Sequence, residues 1–215
     1  MDEPLLEKGI QLEQSLRWAE AEAHYRQAIA TNVGSRVTMA DLRTRHANAL
    51  LELRRLDEAR TEFDLALNAA KETGDGLVIA RALLGAGVFA ASHGDLQRGE
   101  DFLMGALERF HARHDRDGLQ GEGWALLNLA AVYGRSKRLD LAFLTFHKAR
   151  ERLFAIENWV GLATAWELQA KLRETLGDGD RMRQDLHEAM IFYEKQGMTA
   201  KVTELRARAG GHRVV

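Results

Sequence analysis

Apolar and small residues recur at spacings of three and four along almost the whole chain, as Leu83, Ala86, Gly87 and Ala90 illustrate. This spacing places them on one face of a helix. No segment alternates apolar and polar residues with the β-branched enrichment of a strand. We therefore predict an all-α protein, with helices near residues 5–15, 18–31, 36–53, 56–73, 76–93, 95–114, 118–136, 138–156, 158–176, 180–196 and 198–209.

Glycine and aspartate mark several of the breaks between these helices. Glycine readily takes the left-handed conformation that ends one helix, and an aspartate side chain can cap the start of the next. These residues predict turns at Gly74-Asp75, Gly94-Asp95, Asp117-Gly118 and Gly177-Asp178.

A longer period of about 40 residues lies over the helical one. Its clearest column is alanine, at spacings of 38, 40, 43 and 40 residues: Ala28, Ala66, Ala106, Ala149 and Ala189. Three residues before each alanine stands a bulky apolar side chain: Tyr25, Phe63, Leu103, Phe146 or Leu186. Other columns hold glycine or alanine, for example Gly9, Ala47 and Gly87. Such a period is typical of stacked two-helix units, whose helices approach closely where the side chains are small.

These columns resemble the tetratricopeptide repeat (TPR) across residues 5–197, in the longer-repeat variant of bacterial signalling regulators and kinesin light chains. The fifth repeat departs from the pattern, since Arg173 and Met182 stand at apolar and small positions. The resemblance implies a single all-α domain over 1–215, a right-handed α-solenoid of five helical hairpins plus a C-terminal capping helix. The implied repeats span residues 5–34, 36–74, 76–115, 118–157 and 158–197, with the capping helix at 198–209.

In TPR proteins the first helix of each hairpin lines a concave groove that holds the partner. Transferred repeat by repeat, this implies groove residues Arg45, Asn48, Arg81, Leu84, Val88, Trp124, Leu127, Asn128, Arg135, Glu167 and Lys171. Asn128 resembles the groove asparagine of the longer repeats, whose amide can both donate to and accept from a peptide backbone. The apolar members have two interpretations, a floor for the partner or core between neighbouring helices.

The resemblance therefore favours a protein- or peptide-binding scaffold or adaptor. One alternative is a regulatory module that senses a ligand or peptide and acts on a separate effector protein. Another is a self-assembling structural scaffold or homodimer. Its contact would use Leu6 and Ile10, which lie on a first hairpin with no capping helix before it.

Composition removes other classes of function. The 30 Lys and Arg residues nearly balance the 32 Asp and Glu residues, and no basic stripe predicts a nucleic-acid partner. The chain has no cysteine, which excludes disulfides and thiolate metal sites. The acidic start, Met1-Asp2-Glu3-Pro4, lacks the pattern of a secretory signal, and no apolar run is long enough to span a bilayer. We expect a cytoplasmic protein without a membrane partner.

The sequence predicts no catalytic, cofactor-binding or metal-binding residues. His111 and His114 have a spacing that could hold a metal on one helix face, but no third ligand accompanies them. The carboxylates form no convergent pair for acid–base chemistry, and the glycine-rich turns lack the residues that complete a phosphate loop. We therefore expect that the protein is not an enzyme.

Overall fold

The computed structural model describes residues 3–31 and 34–211, and all regular secondary structure within these ranges is helical. Each predicted helix is present, with its ends within three residues of the predicted ones. The helices are α1 (Glu3–Gln14), α2 (Trp18–Thr31), α3 (Arg36–Glu52), α4 (Leu56–Thr73), α5 (Gly76–Ser92), α6 (Leu96–His111), α7 (Arg116–Arg135), α8 (Leu139–Ala155), α9 (Trp159–Thr175), α10 (Gly179–Lys195) and α11 (Thr199–Gly211).

Three of the four predicted glycine–aspartate turns form as expected. Gly74 and Gly177 are left-handed, with φ of 69° and 74°, and the Asp75 carboxylate accepts from the backbone N–H groups of Leu77 and Val78. The turn predicted at Asp117-Gly118 is wrong, because α7 already begins at Arg116. Asp115 caps that helix, and its carboxylate accepts from the Gly118 N–H at 2.8 Å.

Several other turns use residues that the sequence does not mark. Leu16, Arg54, Lys137 and Glu157 have positive φ between 56° and 61°. A left-handed conformation is unfavourable for a residue with a side chain. These residues accept it because the turn must bring two helices together within a few positions.

The chain divides into two compact units, Met1–Phe110 and His111–Val215. Unit 1 contains α1 to α6, and unit 2 contains α7 to α11. Within each unit, consecutive helices pack as antiparallel hairpins, and the first helices of neighbouring hairpins also touch, as α3 and α5 do in unit 1 and α7 and α9 do in unit 2.

The small residues lie where helices come closest. The alanine column is buried throughout, with exposures between 0 and 4 %. In unit 1, a Cβ built on Gly99 would lie 2.8 Å from the Ala91 Cβ. In unit 2, a Cβ on Gly123 would lie 2.6 Å from Leu153 Cδ2. Larger side chains at these positions would force the helices apart, so small residues set the packing distance there.

Unit 2 ends on α11, the predicted capping helix. Its Val202 and Leu205 enter a core cluster with Met182 and Leu186 of α10, while Ala209 packs at the edge of that cluster. Met198, at the turn before α11, is 39 % exposed. The other face of α11 is polar and exposes Thr203, Glu204 and Arg206.

Candidate functional site

Unit 2 contains a cavity of about 540 Å³ between the carboxyl-terminal halves of α7 and α9 and the first half of α8. We call it the α7–α9 cavity. Its walls are formed mainly by apolar side chains: Ala131, Leu139, Phe146, Leu168, Leu172 and Leu176. Three cationic side chains complete the lining: Arg135, Lys137 and Lys171. Its size is typical of sites that bind a small ligand or an anchoring side chain.

The turn between α7 and α8 forms one end of the cavity. Gly134 allows α9 to come close, since a Cβ there would lie 2.9 Å from Leu172 Cδ1. Lys137 follows with φ of 60°, which fixes the direction in which its side chain leaves the turn. Leu176, just after the end of α9, also lines the cavity and is 46 % exposed. The site therefore offers apolar surface to solvent.

The charge at this cavity is of one sign. No carboxylate belongs to the described residues that line it. Lys137 and Lys171 form no ion pair with the part of the chain that the structure describes. An anionic group that enters would therefore not have to displace an internal carboxylate from either lysine.

The structure brings two of the predicted groove residues, Arg135 and Lys171, to this cavity. The other predicted residues of unit 2 lie elsewhere. Asn128 uses its side chain within its own helix, where Nδ2 donates to the Trp124 carbonyl at 2.8 Å. Glu167 accepts from the Tyr193 hydroxyl at 3.0 Å and pairs with Lys201 at 2.9 Å.

The structure corrects the assignment of Leu127 to the groove. Its exposure is 0 %, so it belongs to the core of unit 2 and offers no surface to a partner. The sequence leaves two interpretations of the apolar residues, a floor for the partner or core between helices, and Leu127 is core. Neighbouring first helices approach closely enough in unit 2 to enclose it. Leu84 and Val88, in unit 1, are half-buried.

In unit 1 the predicted basic groove residues already have acidic partners. Arg45 pairs with Glu13 at 2.8 Å, and the same carboxylate accepts from the Tyr25 hydroxyl at 2.7 Å. Arg81 pairs with Asp41 at 3.4 Å. Burial raises the pKa of the Asp41 carboxyl, and Arg81 opposes that effect. In unit 1 these arginines on the first helices therefore already form ion pairs with acidic residues of the same unit.

The remaining predicted positions of unit 1 are half-buried. Asn48 lies beside Gly85, where a Cβ would be 3.6 Å from the asparagine Oδ1. Leu6 packs against the core cluster around Tyr25, and Ile10 is half-buried on the same helix. A homodimer through Leu6 and Ile10 stays a prediction.

Unit 1 also buries a cluster of charged side chains, which we call the His46 cluster. It consists of Glu22, Arg43, His46, Arg55 and Glu62. The His46 imidazole lies between two carboxylates, with Nε2 3.3 Å from Glu22 Oε1 and Nδ1 3.7 Å from Glu62 Oε2. Arg55 pairs with Glu22 at 3.2 Å, and Arg43 pairs with Glu62 at 2.8 Å.

The His46 cluster is balanced internally. Burial alone would raise the pKa of Glu62, but the interactions of its carboxylate with His46 and Arg43 outweigh it and lower that pKa. No group of three or more metal-ligating side chains occurs among the described residues. We interpret the cluster as an internal ion network that joins α2, α3 and α4.

Sequence reasoning missed the apolar half of the α7–α9 cavity and the lysine in its turn. The run Arg135-Ser136-Lys137-Arg138 is basic and is visible in the sequence. Leu172 and Leu176 carry no such signal, because a leucine at helical spacing predicts core. His111, a candidate metal ligand by spacing, lies 3.3 Å from Glu122.

Comparison with solved structures places this geometry in a known fold. PlcR from Bacillus thuringiensis, in complex with the peptide PapR7 and DNA, is 16 % identical with a TM-score of 0.76, covering 95 % of this chain and 73 % of that one. The kinesin light chain TPR-like repeats from Podosopora anserina are 12 % identical with a TM-score of 0.65, covering 91 % and 96 %. Aspartyl phosphate phosphatase F from Bacillus subtilis is 12 % identical with a TM-score of 0.67, covering 100 % and 60 %.

These likenesses confirm the predicted fold class, an all-α, TPR-like α-solenoid. At such identities they show the fold alone. No protein-family model matches the chain, and no curated protein matches it. Within the described ranges, none of the helices combines the length and the apolar character needed to cross a membrane.

Proposed function

We propose that this chain is a non-catalytic module that binds a protein or peptide through the first helices of its hairpins. The observation that carries the proposal is the α7–α9 cavity. It joins apolar walls to cationic side chains, and two of those cations, Arg135 and Lys171, belong to the first-helix face that the repeat pattern implies. Anchoring of an apolar side chain in a pocket, with charges that fix its orientation, is a common mode of protein recognition.

The structural neighbours support this class of partner. PlcR was solved in complex with the peptide PapR7, and a Rap protein complexed with the competence and sporulation factor has the same fold, at 14 % identity and a TM-score of 0.55. The PlcR complex also contains DNA. For this chain we propose a polypeptide partner, because the chain is nearly neutral and has no basic stripe.

Selection from a random peptide library displayed on phage, with the full chain as bait, tests the proposal. We expect enriched peptides whose binding to the purified chain is measurable by calorimetry. Hydrogen exchange in their presence should slow mainly in the first helices α3, α5, α7 and α9. We expect Lys148→Ala, on an exposed position of the second helix α8, to bind the same peptides unchanged.

Two results would count against the proposed function. The first is a selection that enriches no peptide above an unrelated bait. The second is slowed exchange confined to the second helices α4, α8 and α10, which would place the binding surface on the opposite face of the hairpins.

A further inference from the structure

We propose that the α7–α9 cavity receives an acidic peptide segment, in which one apolar anchor side chain is flanked by carboxylates. This inference rests on the proposed function and specifies the chemistry of its partner. Two features of the cavity carry the inference, its exposed apolar lining and its cations.

The apolar features call for an anchor. The cavity volume of about 540 Å³ exceeds that of any single side chain, so a leucine or phenylalanine can enter together with its backbone. Leu176 is 46 % exposed at the lining and Leu139 is half-buried, although both are apolar. Covering such surface releases water and contributes roughly 25 cal/mol for each Å² buried.

The cations of the cavity favour a segment with acidic residues on both sides of the apolar anchor. Lys137 lies in the turn between α7 and α8, whereas Lys171 lies on α9, so the two cations come from different elements. Neither forms an ion pair with a described residue, and no carboxylate is among the described lining residues. Carboxylates on both sides of the anchor can each pair with one lysine, so that one segment supplies a partner for both cations. This geometry favours a chain segment as the occupant.

The corresponding place in unit 1 supports this specificity. Positions 83 residues earlier hold Val88 instead of Lys171 and Phe89 instead of Leu172. The Phe89 ring packs 5.3 Å from the Phe63 ring and stacks on His93 at 4.3 Å. The cavity that these three side chains line in unit 1 has only about 300 Å³, no lysine is among its described lining residues, and its lining includes the carboxylates of Asp57, Asp64 and Asp95.

Fluorescence anisotropy with labelled synthetic peptides tests the inference on the full chain. The probe carries two glutamates on each side of a Leu-Phe pair. One matched peptide replaces the glutamates with glutamines, and another replaces Leu-Phe with Gly-Gly. We expect only the first peptide to bind well, and its affinity to fall as salt rises, because the charges are exposed.

Two variants of the protein complete the test. The double variant Lys137→Glu/Lys171→Glu should bind the acidic probe at least about tenfold more weakly, and a probe with lysines in place of glutamates should recover binding to it. Leu172→Phe places in unit 2 the side chain that unit 1 has at this position, and should block the probe while the chain stays folded by circular dichroism. Lys148→Glu, which reverses an exposed charge outside the cavity, is the matched control.

Three outcomes would overturn the inference. They are equal binding of the glutamine peptide, unchanged binding by the double variant, and displacement of the probe by octanoate at the same concentration as by the unlabelled peptide. If library peptides still bind the first helices, only the acidic specificity fails and the proposed function stands. If no peptide of any kind binds, both fail.

Discussion

The helices α3, α4 and α5 of unit 1 correspond to α7, α8 and α9 of unit 2 at an offset of 83 positions, and the turns before α4 and α8 have the same backbone conformation. Arg54 and Lys137, at equivalent turns, have φ of 61° and 60°. Arg55 and Arg138, which precede α4 and α8, have φ, ψ of −85°, 68° and −87°, 67°. Ala59 and Ala142 are both fully buried. The repeat thus fixes the backbone where helices must approach.

Other side chains inside the two hairpins differ. Arg43, His46 and Glu62 of the His46 cluster correspond to Leu126, Leu129 and Thr145 in unit 2. The same space is therefore filled by ion pairs in one unit and chiefly by leucine in the other. Both solutions are physically sound, because a buried ion network and an apolar core of similar volume can have similar stability.

The cavities differ for a related reason. Unit 1 has a smaller cavity of about 300 Å³, lined by Phe63, Phe89 and the Asp64–Arg98 ion pair. Unit 2 has Leu172 where unit 1 has Phe89, and its cavity lies on the first-helix side. The comparison shows that the two units share a column residue in their cavity walls, Phe63 or Phe146, and differ at positions outside the columns such as 89 and 172.

The largest expected effect comes from Phe63 and Phe146, the equivalent members of the bulky apolar column in the two units. Phe63→Ala and Phe146→Ala should each lower the free energy of unfolding by about 3–5 kcal/mol, because each ring is buried and its loss leaves a cavity. Urea denaturation followed by circular dichroism measures both, fitted with two transitions if the units unfold separately. A difference of more than about 2 kcal/mol between the variants would show that the aromatic position does not contribute equally in the two units.

A smaller effect should appear in the pH dependence of the free energy of unfolding, and it should come from unit 1. Glu62→Gln should cost about 1–2 kcal/mol at neutral pH, since it removes the negative charge that accepts a hydrogen bond from Arg43 at 2.8 Å. The folded-state pKa of Glu62 is lowered, so the unfolded state takes up its proton first as the pH falls. The stabilisation is therefore fully present above the unfolded pKa of about 4.3 and is lost as the pH falls through the folded pKa.

Urea denaturation at a series of pH values between neutral and acid measures this effect. Wild type should lose stability more steeply than Glu62→Gln on the acid side. The matched change in unit 2, Thr145→Val, removes no titratable group and should leave the slope as in wild type. An identical slope in Glu62→Gln would mean that the His46 cluster does not couple folding to protonation.

The smallest effect concerns the turns that precede α5 and α9. Gly74, with φ of 69°, corresponds to Glu157, with φ of 56°. Gly74→Ala should destabilise by about 1 kcal/mol and Glu157→Gly should stabilise by about 0.5–1 kcal/mol, because only glycine takes this conformation without strain. A Cβ on Gly74 would meet no atom within 4 Å, so the first effect reports backbone conformation alone. Differential scanning calorimetry measures both, and shifts of equal sign would contradict the explanation.

Most of the helices were predictable because their signals are local. Apolar residues at spacings of three and four indicate a helix, and Gly74-Asp75 marks its end in a way that needs no distant partner. The local signal of Asp117-Gly118 gave a wrong prediction. A turn-forming pair is also tolerated in the first turn of a helix, and here Asp115 supplies the cap of α7. The left-handed Glu157 could not be foreseen, because its turn is imposed by the packing of α8 against α9.

The candidate site was predictable only in part. Arg135 and Lys171 could be assigned to the first-helix face from the repeat register, and both line the α7–α9 cavity. Leu127 and Leu176 could not be told apart by sequence, although one is fully buried and the other is 46 % exposed. Their difference depends on which neighbouring helices cover them.

The amino-acid sequence by itself determined the helices, the repeat and the columns of small residues, since these follow from periodicity and side-chain volume within a few turns of chain. The tertiary structure alone decided that the space beside Leu172 stays open and that His46 lies between two carboxylates. Both depend on side chains that residues distant in sequence bring together, and a void or an ion pair is a property of all its neighbours at once.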